Sequence, residues 1–273
     1  MTRKVYGICF SPTGNSKRIT ERIAARLAEA FGCPCEMQDF TAPASREAVR
    51  TYAADELVVV GSPTYAGKLP NKILPDFKEK LRGEGTVCVP VVTFGNRSFD
   101  NSLAELTKVL KDGGFVPAGG AAFACRHAFS DLLAGDRPSE EDFAEADSFA
   151  DSVAEKIRKA EGGLTAELTV AGDADAPYYV PKGLDGQPAK FLKAKPLTDP
   201  AKCTKCGQCV PLCPVGSIDP ADVTNVPGIC IKCQACVRGC PEGAKYFDDA
   251  AFLSHVAMLE KNFTEPKKNA FFL

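Results

Sequence analysis

The chain has 273 residues, with 33 Lys and Arg against 35 Asp and Glu, a formal net charge of -2 and 45% hydrophobic residues. This length suggests about two domains, and the hydrophobic content is normal for a packed globular protein. The small net charge gives no reason to expect nucleic acid or a membrane surface as a partner, and no apolar run is long enough to insert into a membrane. The start MTRKVYGICF lacks the apolar stretch of a secretory signal, so a cytoplasmic location is predicted.

Along residues 1–162, short apolar runs alternate with longer amphipathic stretches. The apolar runs are KVYGICF, ELVVVGSP, TVCVPVVTF and AAFACR, and the amphipathic ones are KRITERIAARLAEAF, KILPDFKEKL, SLAELTKVLKDGGF and a stretch near FAEADSFADSVAEKIRKA. The first amphipathic stretch has apolar residues at helical spacing, and the valine-rich runs are typical of buried parallel strands. We therefore predict an α/β doubly wound parallel sheet, with ligand-binding loops after the carboxyl ends of its strands.

The first such loop, SPTGNSK, follows KVYGICF and opens the first helix. The hydroxyls of Ser11, Thr13 and Ser16, with Gly14 beside them, suit a phosphate at a helix N-terminus, although the same residue types make ordinary helix caps. No GxGxxG motif is present. The segment GSPTYAGKL resembles a Walker motif, but it has five residues between its two glycines where that motif has four, and Leu69 stands where the motif needs Ser or Thr. An ATPase is therefore not predicted.

The SPTGNSK loop resembles the phosphate loop of flavodoxins, S/T-x-T-G-x-S/T, and two further loops, SPTYAG and TFGNRSFDN, agree with that family. The resemblance implies an FMN cofactor, with Tyr65 and Phe99 as candidates to stack on its ring or, alternatively, to pack on the rim of the sheet. The implied FMN-binding residues are Ser11, Thr13, Gly14, Asn15, Ser16, Ser62, Pro63, Thr64, Tyr65, Thr93, Phe94, Gly95, Asn96, Arg97, Phe99 and Asp100.

Two basic residues near these loops have alternative interpretations. Acidic residues around the flavin loops are sparse compared with flavodoxins, and Arg97 could face the flavin and raise its potential or pair with Asp100. His127, in CRHAFSD after AAFACR, could donate a proton at the flavin edge or be a hydrogen-bonded structural histidine.

Residues 163–198 form a predicted linker, since they are proline-rich and lack a helical period. Its larger apolar side chains should pack against one or both domains; they are Tyr178, Tyr179, Val180, Phe191 and Leu192. Between Lys182 and Lys205 there are six lysines and two aspartates. This excess indicates either a docking surface for an acidic partner or a solvated stretch.

Two copies of the pattern CxxCxxCxxxCP follow, CTKCGQCVPLCP from Cys203 and CIKCQACVRGCP from Cys230. They resemble a bacterial-type ferredoxin module, in which the fourth cysteine of each run binds the cluster of the other run. The resemblance implies two [4Fe-4S] clusters. One would be held by Cys203, Cys206, Cys209 and Cys240, and the other by Cys230, Cys233, Cys236 and Cys213.

Alternative uses of the cysteines fit less well. A structural zinc site usually takes two cysteine pairs separated by a dozen or more residues, and disulfides need an oxidising compartment. Cys9, Cys88 and Cys125 lie in predicted core strands and should be structural. Cys33 and Cys35 form a CPC turn without identifiable further ligands nearby in the sequence.

Nearly the whole chain resembles the flavodoxin-ferredoxin fusion proteins of anaerobic bacteria and archaea. The expected parts are a flavodoxin-like domain (1–162), the linker (163–198), a small α+β 2[4Fe-4S] ferredoxin domain (199–250) and a C-terminal helix and tail (251–273). The resemblance implies electron transfer between FMN, the clusters and redox protein partners. The alternatives are an FMN-dependent reductase of a small molecule, fed by its own clusters, and a docking domain without flavin.

Overall fold

The computed structural model describes residues 2–160, 163–164 and 168–273. A short 3-10 helix spans Pro43–Arg46. The α-helices are α1 (Asn15–Phe31), α2 (Leu74–Lys80), α3 (Ser102–Asp112), α4 (Glu140–Lys159), α5 (Cys209–Leu212), α6 (Ala235–Arg238) and α7 (Ala250–Asn262). The strands are β1 (Lys4–Cys9), β2 (Cys35–Asp39), β3 (Arg50–Tyr52), β4 (Glu56–Pro63), β5 (Leu81–Gly83), β6 (Val87–Phe94), β7 (Val116–Pro117), β8 (Gly120–Ala124), β9 (Leu197–Thr198), β10 (Lys245–Tyr246) and β11 (Ala270–Phe272).

Five parallel strands form the main sheet in the order β2-β1-β4-β6-β8, and the short β7 pairs with β6. If the short strands β3, β5 and β7 are left out and the five strands are numbered in chain order, this is the order 2-1-3-4-5 of flavodoxin-like doubly wound sheets. The predicted doubly wound parallel sheet is therefore confirmed. The loops after β1, β4 and β6 leave the same edge of the sheet, because the strands are parallel neighbours.

Helices cover both faces of this sheet. On one face α1 and α4 pack together over the strands, with Ile23 and Leu27 of α1 and Val153 of α4 fully buried. On the other face α2 and α3 bury Phe77 and Leu106 in a second core. The valines of β4 and β6 lie between the two cores, which explains why their runs are apolar without alternation.

Besides the two-residue β7, two strands of the main sheet were not among the predicted runs. β2 is an edge strand of mixed polarity, CEMQD, with no fully buried residue. β11, at the C-terminus, pairs antiparallel with β8, so that Ala270 lies opposite Ala122. The predicted C-terminal helix is found as α7, but the tail after it returns to the edge of the first domain's sheet.

The cysteine-rich segment between the linker and α7 has little regular structure. It contains α5, α6 and β10, which pairs antiparallel with β9 at the end of the linker. Its small core contains Cys209, Cys236, Ile218, Val223 and Val226. None of the helices in the described residues is long and apolar enough to cross a membrane.

Candidate cluster and flavin site

The loop from Ser11 to Ser16 joins β1 to α1 at the carboxyl edge of the sheet. Gly14, just before the helix, has a φ of 91°, where a residue with a Cβ would be strained. The Ser11 hydroxyl accepts the Lys17 N–H at 3.0 Å, and in the described chain no protein group accepts the N–H of Asn15 or Ser16. These free N–H groups at the start of a 17-residue helix suit an anion.

Thr93, at the end of β6, connects the predicted loops by hydrogen bonds. Its hydroxyl is hydrogen-bonded to the buried Ser16 hydroxyl at 2.7 Å, and its carbonyl accepts the Thr64 N–H at 2.7 Å. The Asn15 amide donates to the carbonyl of Arg126 at 3.2 Å. The three predicted loops therefore converge at one edge, and the Ser16 hydroxyl is engaged by Thr93.

Asn96, predicted in the second flavin loop, binds the C-terminal tail. It is fully buried, and its amide donates to the carbonyls of Phe263 at 2.6 Å and Glu265 at 3.0 Å. Its side-chain oxygen accepts the Lys267 N–H at 3.0 Å. All of these contacts are more than 160 residues away in sequence, so the loop sequence alone gave no indication of them.

Arg97 is paired with Asp100, and its guanidinium lies 4.0 Å from the centre of the Tyr179 ring. Of the two interpretations of Arg97, the structure therefore shows the pairing. Phe99 packs on Phe94 with ring centres 5.6 Å apart and belongs to the edge of the core. Its position matches the alternative in which it packs on the rim of the sheet.

His127 packs directly over the second flavin loop. A Cβ on Gly95 would lie 2.2 Å from the imidazole, so only glycine fits beneath the ring. The His127 Nδ1 accepts the Phe129 N–H at 3.1 Å. Burial, with smaller effects from His255, Arg238 and Arg97, lowers the pKa of His127 to about 3. The ring is therefore neutral at pH 7 and is fixed by its contacts.

The linker segment 173–181 lies on the loops after β4 and β6. Lys68 is buried, pairs with Glu105 at 3.1 Å and donates to two linker carbonyls, those of Ala174 and Ala176, at 2.8 Å each. The Tyr178 hydroxyl also donates a hydrogen bond to the Leu69 carbonyl at 2.9 Å, and the Tyr179 N–H donates one to the Ala66 carbonyl at 2.8 Å.

The predicted packing of the linker is confirmed for three of its five large apolar side chains. Tyr178 and Tyr179 have the contacts above, and Phe191 stacks on His255 with ring centres 5.3 Å apart. The prediction is wrong for Val180, which is 58% exposed, and for Leu192, which is 89% exposed.

Both cysteine runs have the same backbone conformation. Lys205 and Lys232, each two residues after the first cysteine of its run, both have a φ of 57°. Two residues further on, Gly207 and Gln234 have φ of 76° and 66°. Left-handed residues at matching positions make each CxxCxxC stretch a tight loop, so the repeat in sequence is also a repeat in structure.

The first cysteine set, as we call the predicted ligands of one cluster, lines a single cavity. The cavity walls also include Gln208, Val223 and Ala244. The Ala244 N–H donates to the Cys240 sulfur at 3.3 Å, and Cys206 is exposed. The members of the first cysteine set are Cys203, Cys206, Cys209 and Cys240.

The second cysteine set lies deeper. Cys233 and Cys236 are each only 8% exposed, and burial, with smaller effects from Cys236, Cys230 and Cys213, raises the pKa of Cys233. The Ser217 N–H donates to the Cys213 sulfur at 3.2 Å, matching the bond at Cys240. In the described residues, no three His, Cys, Asp or Glu side chains converge on a single ion position. The second cysteine set comprises Cys213, Cys230, Cys233 and Cys236.

Tyr65, in the loop after β4, lies beside the second cysteine set. Burial raises the Tyr65 pKa well above its ordinary value, although part of the residue is accessible to solvent. The nearby Cys233 and Cys230 contribute in the same direction. Ile231, directly after Cys230, also packs against the core of the first domain, so the second cysteine set lies against the domain that carries the predicted flavin loops.

Further contacts fix the cysteine-rich segment on this edge of the sheet. The Arg46 guanidinium donates to the carbonyl of Pro214 at 2.7 Å. Arg238 donates to the carbonyl of Ala128 at 2.9 Å and pairs with Asp131 at 2.8 Å. Sequence analysis did not single out Arg46 or Arg238, because nothing in their local sequence indicates such distant partners.

The remaining cysteines are not part of these sets. Cys9, Cys88 and Cys125 are buried in the main sheet or at its end, as predicted. Cys33 is partly buried, and Cys35 is exposed at the start of β2.

In a comparison with known protein families, residues 196–219 and residues 227–243 each match a family described as "4Fe-4S binding domain". No curated protein matches the chain. Among solved structures, it is similar to a flavodoxin from the domain Archaea, with 14% identity, a TM-score of 0.37, and coverage of 57% of this chain and 99% of that one. Flavodoxin 2 from Bacillus cereus gives 18% identity and a TM-score of 0.39 over 57% of this chain and 99% of that one.

A third similar structure is the Flv1 flavodiiron core from Synechocystis sp. PCC6803, with 19% identity and a TM-score of 0.40 over 59% of this chain and 37% of that one. Similarity at this level carries no functional argument. The fold assignment follows instead from the strand order of the main sheet. The chain thus joins a doubly wound sheet of flavodoxin topology to a segment that matches the 4Fe-4S binding domain twice, which is the organisation of a flavodoxin-ferredoxin fusion.

Proposed function

We propose that this protein is an electron-transfer iron-sulfur flavoprotein that passes electrons between FMN, two [4Fe-4S] clusters and external redox proteins. The strongest support is the packing of Val215 and Ile231, close in sequence to Cys213 and Cys230, against the first-domain core that includes Phe10 and Leu69. This packing places the second cysteine set against the domain that carries the predicted flavin loops. When bound, FMN supplies two-electron chemistry and each cluster one-electron chemistry.

The protein's own contribution is position and polarity. The loop at Gly14 would bind the FMN phosphate through the N–H groups of Asn15 and Ser16. Each cysteine set would hold one cluster. The N–H groups that donate to the sulfurs of Cys213 and Cys240 would stabilise thiolate charge.

A small-molecule reductase is the alternative function. It would need an open pocket over the flavin and a proton donor. His127 is a poor donor, because it is neutral at pH 7 and its pKa of about 3 reflects burial. Segment 173–181 also occupies the outer side of the loops after β4 and β6. These contacts favour the electron carrier.

Reductive titration of the anaerobic, iron-reconstituted and FMN-supplemented protein tests the proposal. We expect about four electrons per chain, two in the flavin and one in each cluster. About two electrons without a flavin signal would refute the flavin half and leave a two-cluster protein with a docking domain. The cytoplasmic location stays a prediction, as does the anaerobic source that the family resemblance implies.

A further inference from the structure

An exposed apolar and basic surface lies next to the second cysteine set. Leu192 is 89% exposed and Ile229, directly before Cys230, is 64% exposed. Isolated exposed apolar residues are common on soluble proteins, but here they stand among lysines. We call this surface the linker face, and its residues are Lys190, Leu192, Lys193, Lys195, Ile229 and Lys232.

Hydrogen bonds hold the linker face against the cluster loop. The Lys232 ammonium donates to the carbonyls of both Leu192 and Cys230, the latter at 3.1 Å. The Lys195 ammonium donates to the carbonyl of Val226 at 2.6 Å and to that of Pro227 at 3.2 Å. Leu192 is therefore fixed beside Cys230, although its own side chain is in solvent.

The linker face is positively charged. Across the described residues, none of its four lysines forms an ion pair with a carboxylate. The whole chain is slightly acidic, with a net charge of -2, so this is a local concentration of positive charge. Such a patch around an apolar centre favours an acidic partner, because complementary charge speeds encounter and apolar contact slows release.

We propose that the linker face is the docking site of an acidic redox protein. This inference rests on the proposed function, and it specifies where one partner binds and with which chemistry. The partner's reduced centre gives up one electron, and the cluster at the second cysteine set gains it. No bond is made or broken and no proton moves.

Binding of a small acidic plant-type [2Fe-2S] ferredoxin, measured by surface plasmon resonance against the anaerobic holoprotein, tests the docking site. We expect affinity that falls as salt rises. The charge reversal Lys190→Glu/Lys193→Glu should weaken binding at low salt by at least about tenfold. Both lysines are exposed and their side chains make no hydrogen bond or ion pair in the described chain, so the fold should not change.

The matched control is Lys72→Glu/Lys111→Glu, which makes the same charge change on exposed lysines of the first domain. It should bind within about twofold of the natural protein, because neither lysine belongs to the linker face. Leu192→Ser should weaken binding by about fivefold even at high salt, since it removes apolar contact and no charge. Equal weakening in both charge reversals, or no effect of either, would overturn the docking site.

Two further measurements separate this inference from the proposed function. Basic cytochrome c should bind the natural protein more weakly than the acidic ferredoxin, and the opposite order would overturn the charge argument. Dithionite titration should give the same electron count in every variant. A normal count with unchanged ferredoxin binding refutes only the docking site, whereas absent flavin and cluster reduction in the natural protein refutes the proposed function.

Discussion

Substituting Lys68 should both destabilise the protein and release the linker. Lys68 and Glu105 form an ion pair of 3.1 Å in which each side chain is only 8% exposed. Lys68→Met leaves the Glu105 carboxylate buried without its cation, which typically costs about 3–5 kcal/mol. For a chain of this size, that is a fall of about 6–20 °C in Tm. The measurement is thermal unfolding of the anaerobic holoprotein at a fixed scan rate.

A local readout distinguishes the linker anchor from general destabilisation. Lys68 also donates to the carbonyls of Ala174 and Ala176, so its loss should expose segment 173–181 to proteolysis at temperatures well below the Tm. Mass spectrometry of the first fragments after brief proteinase K treatment locates the cleavage. Adding Glu105→Gln to Lys68→Met should recover part of the lost stability, because it removes the unpaired charge and keeps an acceptor for the Leu69 N–H.

The matched control is Lys108→Met on α3. Lys108 pairs with Asp112 at 2.9 Å, but the two side chains are 49% and 64% exposed. Such a pair stabilises by about 0.5 kcal/mol or less, so the Tm should change by no more than about 2 °C. Equal Tm changes for the two substitutions, or early cleavage elsewhere than 173–181, would contradict the assignment of Lys68 as the anchor.

Three further predictions follow from the site. The folded pKa of His127, about 3, lies below its ordinary 6.5, so the unfolded chain binds a proton first and stability falls with pH below 6.5. His127 should account for about 1.4 kcal/mol of the loss at pH 5.5 relative to pH 7.5, so His127→Gln should lose that much less, measured by urea unfolding at both pH values. Burial also lowers the pKa of His255, which contributes its own share in both proteins. Cys203→Ser and Cys240→Ser should alter the electron paramagnetic resonance signal of the same cluster, and Cys213→Ser should alter the signal of the other cluster. If Cys203→Ser and Cys213→Ser altered the same signal, the fourth cysteine of each run would not bind the cluster of the other run. Gly14→Val should weaken FMN binding about tenfold, because a φ of 91° strains any residue other than glycine. Flavin fluorescence quenching measures the FMN affinity, and an iron assay should show that the iron content is unchanged. An unchanged FMN affinity would count against this loop as the phosphate site.

The sheet could be predicted because its central strands and helices have strong periodic patterns. The valine runs of β4 and β6 are buried on both faces, and α1 has its apolar residues on one side. β2 was missed because CEMQD is a partly exposed edge strand with one apolar residue besides its cysteine. β11 has only three residues, and its pairing with β8 depends on a contact across about half the chain.

Sequence spacing also gave the candidate site its outline but not its distant contacts. The CxxCxxC repeat predicts two similar loops, and left-handed φ values recur at matching positions in both. The two ligand sets are what the ferredoxin resemblance implies. The flavin-loop resemblance predicts which loops meet, and Thr93 connects them. It could not predict that Asn96 would hold the tail or that Arg46 would hold Pro214, because these partners lie about 170 residues away.

These distant contacts bear on how the cysteine-rich segment is held. Before it, Lys68 fixes the linker to the first domain, and after it Asn96 and β11 fix the tail to the same domain. A segment attached at both ends by packed contacts has far fewer positions available than one on a flexible linker. The packing of Val215 and Ile231 against the first-domain core is therefore part of the folded structure, and the electron transfer proposed above would need no domain movement.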